Sequence, residues 1–266
     1  MAASMRRTAA IPVLAASAVL LAGCGGGGHT TATRNARPST AKATHAGPHA
    51  NGQPDAPGPA ASREEAKARA FAVAVNLRAS DVPGFHPSSE HEHKSAAEKR
   101  LEPELAKCVG VAGTKREATE MSSKTYERGR SIITQSVSSQ VTVARTSAVA
   151  ARELASIRGG HLQSCLAHYL NQLLASTNLH GAKIGPVSTK QGSPPASGAD
   201  GSFGLRFIET VTLHGLRIPF YVDILGFVKG RAEVSLFTFG VLRAFPAALE
   251  EQLFSLLLER AKAHSI

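Results

Sequence analysis

Tryptophan is absent, cysteine occurs only three times in 266 residues, and the 30 lysines and arginines, which outnumber the 20 acids, nowhere gather into a basic block. Each scarcity excludes a class of protein. Three cysteines, at positions 24, 108 and 165, cannot staple a disulfide-dense scaffold, and no Cys-x-x-Cys pair is present for structural zinc or dithiol chemistry. A net charge of +10 spread along the chain provides no arm for nucleic acid, so no nucleic-acid partner is expected. There is no Gly-x-Ser-x-Gly elbow, no His-Glu-x-x-His, and no Ser-x-x-Lys in an active-site setting. The enzyme reading therefore lacks its usual anchors, and no cofactor is expected.

What the chain does have begins at its first residues. Arg6 and Arg7 precede an apolar run from Ala9 to Ala22, too short for a stable membrane span, which is the layout of a secretory signal. It ends in Leu21-Ala22-Gly23-Cys24, which resembles a lipobox, the bacterial lipoprotein signal in which the cysteine is lipidated and becomes the first residue of the mature chain. Residues 1–23 are thus read as a lipoprotein signal peptide and Cys24 as the lipidation site. Paired acyl chains would anchor the protein stably, since each buried CH₂ contributes about 0.8 kcal/mol. A plain signal peptide with a coincidental cysteine is the alternative.

Residues 25–62 include 7 glycines, 5 prolines and 9 alanines but no Leu, Ile, Val, Phe or Tyr. Such a stretch cannot bury enough apolar area to offset its ordering entropy, so 24–62 is expected to be a disordered tether reaching roughly 30–37 Å. Residues 63–266 form one domain of net charge +6, a mild bias toward anionic envelope partners.

Within that domain Ser62 caps a helix over 66–77, and Asp81-Val82-Pro83-Gly84-Phe85 makes a turn. A polar loop covers 86–97, and a short helix interrupted at Pro103 follows over 99–109. Ile133 to Val143 alternates as a strand with one solvated face, and Ser147 caps a helix ending at Gly159-Gly160. Leu162, Cys165, Leu166, Tyr169, Leu170, Leu173 and Leu174 mark the clearest amphipathic helix. Residues 185–202 read as a loop. Three alternating segments from Phe203 to Phe239 form two consecutive hairpins, and Pro246 opens a final helix. The expected class is α+β, with an antiparallel sheet of about five to seven strands flanked by helices.

Cys108 and Cys165 remain as an even pair on apolar helical stretches. A disulfide closing 57 residues fits an oxidising compartment, and two buried thiols are the alternative. The lipobox, the tether, Leu77 to Phe85 (LRASDVPGF), one cysteine before the first strand, a second on the long helix, and a closing strand-strand-helix together resemble a known group. These are the actinobacterial lipoproteins and PsbP/Mog1-like extracytoplasmic domains, including the external sensor domains of some mycobacterial serine/threonine kinases. The resemblance implies a six- or seven-stranded sheet with a cleft and no catalytic centre. This chain departs from the kinase sensors in having one cysteine pair where they tend to have two, and in lacking a kinase domain and a spanning helix.

Candidate site residues are few. His86, Glu90, His91, Glu92 and His93 form the densest polar group, and His91 and His93 would point the same way in an extended segment and share a metal with His86 or an acid. A solvated loop is the bland alternative, and no metal is assigned. Glu209 keeps register with Phe207 and Val211 and so points toward the apolar side of the sheet, whereas Asp223 alternates with Tyr221 on the opposite parity. Arg206, Arg217 and Arg231 on neighbouring strands would share the polar face as an anionic-ligand site, with a solvated sheet face as the favoured alternative. Glu209, Arg206, Arg217, Tyr221 and Asp223 are therefore the candidate cleft residues. The function expected is a lipid-anchored, non-enzymatic binding or sensor-like domain at the outer face of the cytoplasmic membrane. Its partners would be the membrane through the anchor, a small-molecule, lipid or anionic cell-wall ligand, and an envelope protein. An envelope hydrolase or lipid-modifying enzyme, and a structural interaction module, are the alternatives.

Overall fold

The computed structural model describes residues 59–88, 95–109, 117–130, 133–176 and 181–266. The signal peptide, Cys24, most of the expected tether, and Glu90, His91, Glu92 and His93 lie outside the described residues.

The first helix, α1 (Pro59–Val75), starts earlier than Ser62. Proline suits a first helical position because its missing N–H has no partner there, and Ala60 and Ala61 are strong helix formers, so the helix takes over the end of the stretch read as tether. A 3₁₀ turn (Ala79–Asp81) and Gly84 at φ 80° then reverse the chain into the two-residue strand β1 (His86–Pro87). Helix α2 (Ala96–Cys108) runs through Pro103 rather than breaking there. It is held at its start by a capping box, in which Ser95 Oγ accepts from the Glu98 N–H and the Glu98 carboxylate accepts from the Ser95 N–H. At its end a disulfide joins Cys108 to Cys165.

Strands β2 (Glu117–Ser122), β3 (Tyr126–Arg130) and β4 (Ile133–Ala144) lead to α3 (Ser147–Arg158), which Thr146 rather than Ser147 caps. Next comes α4 (His161–Ala175). The segment read as a loop contains β5 (Lys183–Ile184) and β6 (Ser188–Gly192). Strands β7 (Gly201–Leu213), β8 (Leu216–Lys229) and β9 (Ala232–Val241) form the expected meander, and α5 (Ala247–Ala263) closes the chain. The β7–β8 turn places His214 and Gly215 at φ 49° and 81°, the left-handed pair that a two-residue hairpin requires.

The sheet is antiparallel throughout, in the order β1-β3-β4-β9-β8-β7-β5, with β2 added on β4 and β6 on β7. The α+β class is as expected. The strand count is corrected from five to seven upward to nine among the described residues. The additional strands are short or polar and gain their stability by backbone pairing on long neighbours, not from an apolar stripe of their own.

Helices cover both faces. On one, α1 and α5 pack Phe71, Val75, Leu253 and Leu257 onto Val141, Val234 and Leu236. On the other, α3 and α4 pack Leu154, Ile157, Cys165 and Leu166 onto Phe203, Leu205, Phe207 and Ile224. Strand β9 is consequently buried along almost its whole length, on both sides of its pleat.

Candidate functional site

The odd-numbered residues of β7 face α4, and the register Phe207↔Val222, Glu209↔Phe220 and Val211↔Ile218 carries that apolar face across to β8. Glu209 stands in the middle of it. Leu170, Leu173 and Leu174 of α4, Val187, Phe207, Phe220, Val222 and Phe239 surround it in a partly open cavity of about 30 Å³. The Phe220 and Phe239 rings lie 6.2 Å apart, tilted by 41°.

Glu209 is 4 % exposed, and neither of its carboxylate oxygens has a hydrogen-bond partner among the described residues. Burial alone pushes its carboxyl up to about 7, since nothing nearby offsets the cost of removing the charge from water. The sequence parity placed this acid on the apolar side, and the structure adds the pocket, which could not be read because its α4 wall is more than thirty residues away in sequence.

The remaining cleft candidates lie on the other face of the sheet. Asp223 accepts two hydrogen bonds from Arg206, from Nε to Oδ1 and, at 2.9 Å, from Nη2 to Oδ2. Glu250 of α5 lies 3.9 Å from the same guanidinium and accepts from Thr238 Oγ1 at 2.7 Å. The bond to Asp223 is the main reason the Arg206 pKa is raised. Tyr221 is half-buried on this face beside the Asp223 strand position, and Arg217 is exposed six residues before Asp223 on β8, about 20 Å away by strand rise. Arg231 lies beyond the opposite end of β8, bonded to Glu64 of α1 at 3.0 Å. The five candidates therefore do not form one cleft, and the three arginines do not converge. Arginines separated along the pleat share a face without sharing a site, and Arg206 is already neutralised by a buried acid.

His86 is exposed on β1, paired in register with Glu127. Cys108, His161 and Cys165 do bring three ligand-type atoms within 4.8 Å, but both sulfurs are spent in the disulfide, and His161 Nε2 lies 2.9 Å from the Cys108 carbonyl oxygen. A second buried acid, Glu233 on β9, is raised to about 8 by burial first and by the charge of Glu153 next, with a Ser235 hydrogen bond acting the other way. The LRASDVPGF stretch proves structural. Leu77, Val82 and Phe85 are core residues, and Asp81 takes a bidentate pair from Arg260 of α5 at 2.8 and 2.7 Å.

No protein-family model matches the chain, and no curated relative matches it. Among solved structures it is similar to the crystal structure of the extracellular domain of PknH from Mycobacterium tuberculosis, at 11% identity and a TM-score of 0.36, over 73% of this chain and 96% of that one. At that score the likeness carries no function from one chain to the other.

Proposed function

We propose that the protein is a lipid-anchored, non-enzymatic binding domain at the outer face of the cytoplasmic membrane, and that its ligand enters the pocket between α4 and the sheet. The unpartnered carboxylate of Glu209 carries this reading. A buried polar group without a partner costs on the order of 1–3 kcal/mol, more if charged, and a ligand that supplies the partner removes that cost. Among the described residues the pocket lining offers apolar walls and one carboxylate, with no Ser, Cys, His or Lys, which favours binding over hydrolysis there. The disulfide supports an oxidising compartment outside the cytoplasm. Leu21-Ala22-Gly23-Cys24 supports the anchor. No helix among the described residues is long and apolar enough to cross a bilayer.

The test is native mass spectrometry of the full chain recovered from membranes, beside a Leu170→Trp variant that fills the pocket from its half-buried rim. A small molecule retained by the wild type and lost from the variant is expected. Equal retention by both, or none by either, would show that the pocket is not the ligand site.

A further inference from the structure

Glu209 differs from the other buried acids described above in having no hydrogen-bond partner among the described residues, where even Glu233 has a hydrogen bond with Ser235. Asp223 has Arg206, Asp81 has Arg260, and Glu250 has Thr238 with Arg206 nearby. Among the described residues the pocket around Glu209 is lined otherwise by aliphatic and phenyl groups, so a counter-charge for its ionised carboxylate would come with the ligand. We infer that the pocket takes a small ammonium ion on a short apolar stem, with Glu209 as counter-ion and the phenyl groups of Phe207, Phe220 and Phe239 as walls. This rests on the pocket being the ligand site.

Three features favour that chemistry over its competitors. An ammonium carries three donors on one compact centre, enough to reach both orphaned oxygens, whereas an alcohol donates once and an anion adds a second buried negative charge. Phenyl faces attract cations through the ring quadrupole, and three of the nine lining residues are phenylalanines. The cavity, about 30 Å³, has room for roughly two water-sized groups. That suits an ammonium on a stem of one or two carbons, with any further carbons leaving through the open side.

The experiment uses the full chain carrying Cys24→Ser, isotope-labelled for NMR, titrated at pH 7.5 with n-butylammonium, 1-butanol and butyrate, three probes of similar size and different charge. Butylammonium is expected to shift the methyl signals of Leu170, Leu173 and Leu174 saturably, with an affinity at least tenfold above that of butanol. Glu209→Gln, which keeps the shape and removes the charge, is expected to bring that ratio to about one. If butanol or butyrate binds as well as butylammonium, the ligand class is wrong while the pocket stands as the site. If no probe moves those methyls, both fall. A preference for ammonium that survives Glu209→Gln would also overturn the inference. The wild-type ranking decides the class even if the variant does not fold.

Discussion

Glu209 and Asp81 are driven in opposite directions by their surroundings, and they predict opposite responses to pH. The folded value of Glu209, about 7, lies above the ordinary 4.5, so the protonated acid is the form the fold favours. Its contribution is complete below about pH 4.5 and is lost as pH rises through 7. Glu209→Gln should therefore be nearly neutral at pH 4.5 and stabilising at pH 8.5, by at most about 3 kcal/mol, checked by urea midpoints at the two values. Glu233 and Glu250 are also raised, with burial as the first cause, so a smaller decline with pH should persist in that variant. For Asp81, burial pushes upward, but hydrogen bonds from Arg260 and the Arg78 N–H and the charges of both arginines outweigh it and hold the carboxyl below its usual value. That contribution is present above the ordinary value of 3.8 and disappears as pH falls through the lowered one. Arg260→Ala leaves Asp81 without its main partner and should cost on the order of 2–3 kcal/mol at pH 7, measured by chemical denaturation.

At the scale of elements, α2 is tied to α4 by Cys108–Cys165 and buries Leu101 and Leu105. The bridge spans 57 residues, so the Cys108→Ala, Cys165→Ala pair of substitutions should lower stability by about 4 kcal/mol in the chain-entropy picture, again read from denaturant unfolding. In β8, Gly226 lies beneath the Phe203 ring of β7, where an added Cβ would sit 2.2 Å from the ring's Cζ atom. Gly226→Ala should destabilise by about 1–3 kcal/mol, because the ring has to leave its place over the strand. The long elements were legible in the sequence. Leu162 to Leu174 repeats at helical spacing and lays one apolar stripe on a core, while β7, β8 and β9 carry enough alternating apolar residues to read as strands. Strands β5 and β6, by contrast, are Lys-Ile and Ser-Thr-Lys-Gln-Gly, and β2 and β3 are as polar. Their reason for being strands is the backbone of β7 or β4 beside them, which local pattern does not encode. Pro103 misled for a related reason: the capping box and the disulfide hold both ends of α2, offsetting the cost of an interior proline. At the site, parity alone put Glu209 on the apolar face, but it could not tell that Asp223 and Arg206 would satisfy each other behind it.

For the whole molecule, the anchored reading makes a direct prediction. The wild-type chain should sediment with membranes and incorporate labelled palmitate when expressed in a bacterium that processes lipoproteins, while Cys24→Ser should do neither. Soluble wild-type protein without label would remove the anchor from the proposal and leave the pocket untouched.

The two helical layers divide the work of the domain between them. The chain that precedes Pro59 joins through α1, so any pull from a membrane root enters on the α1 and α5 side. There it meets the Asn76–Ser139 hydrogen bond of 2.8 Å, the Arg260 clasp on Asp81 and the Arg231 link to Glu64. The mouth beside α4 opens from the opposite layer. With the proposed anchor, the root would attach on one face of the sheet and the chamber around Glu209 would open on the other, so a ligand would reach it from the face turned away from the tether.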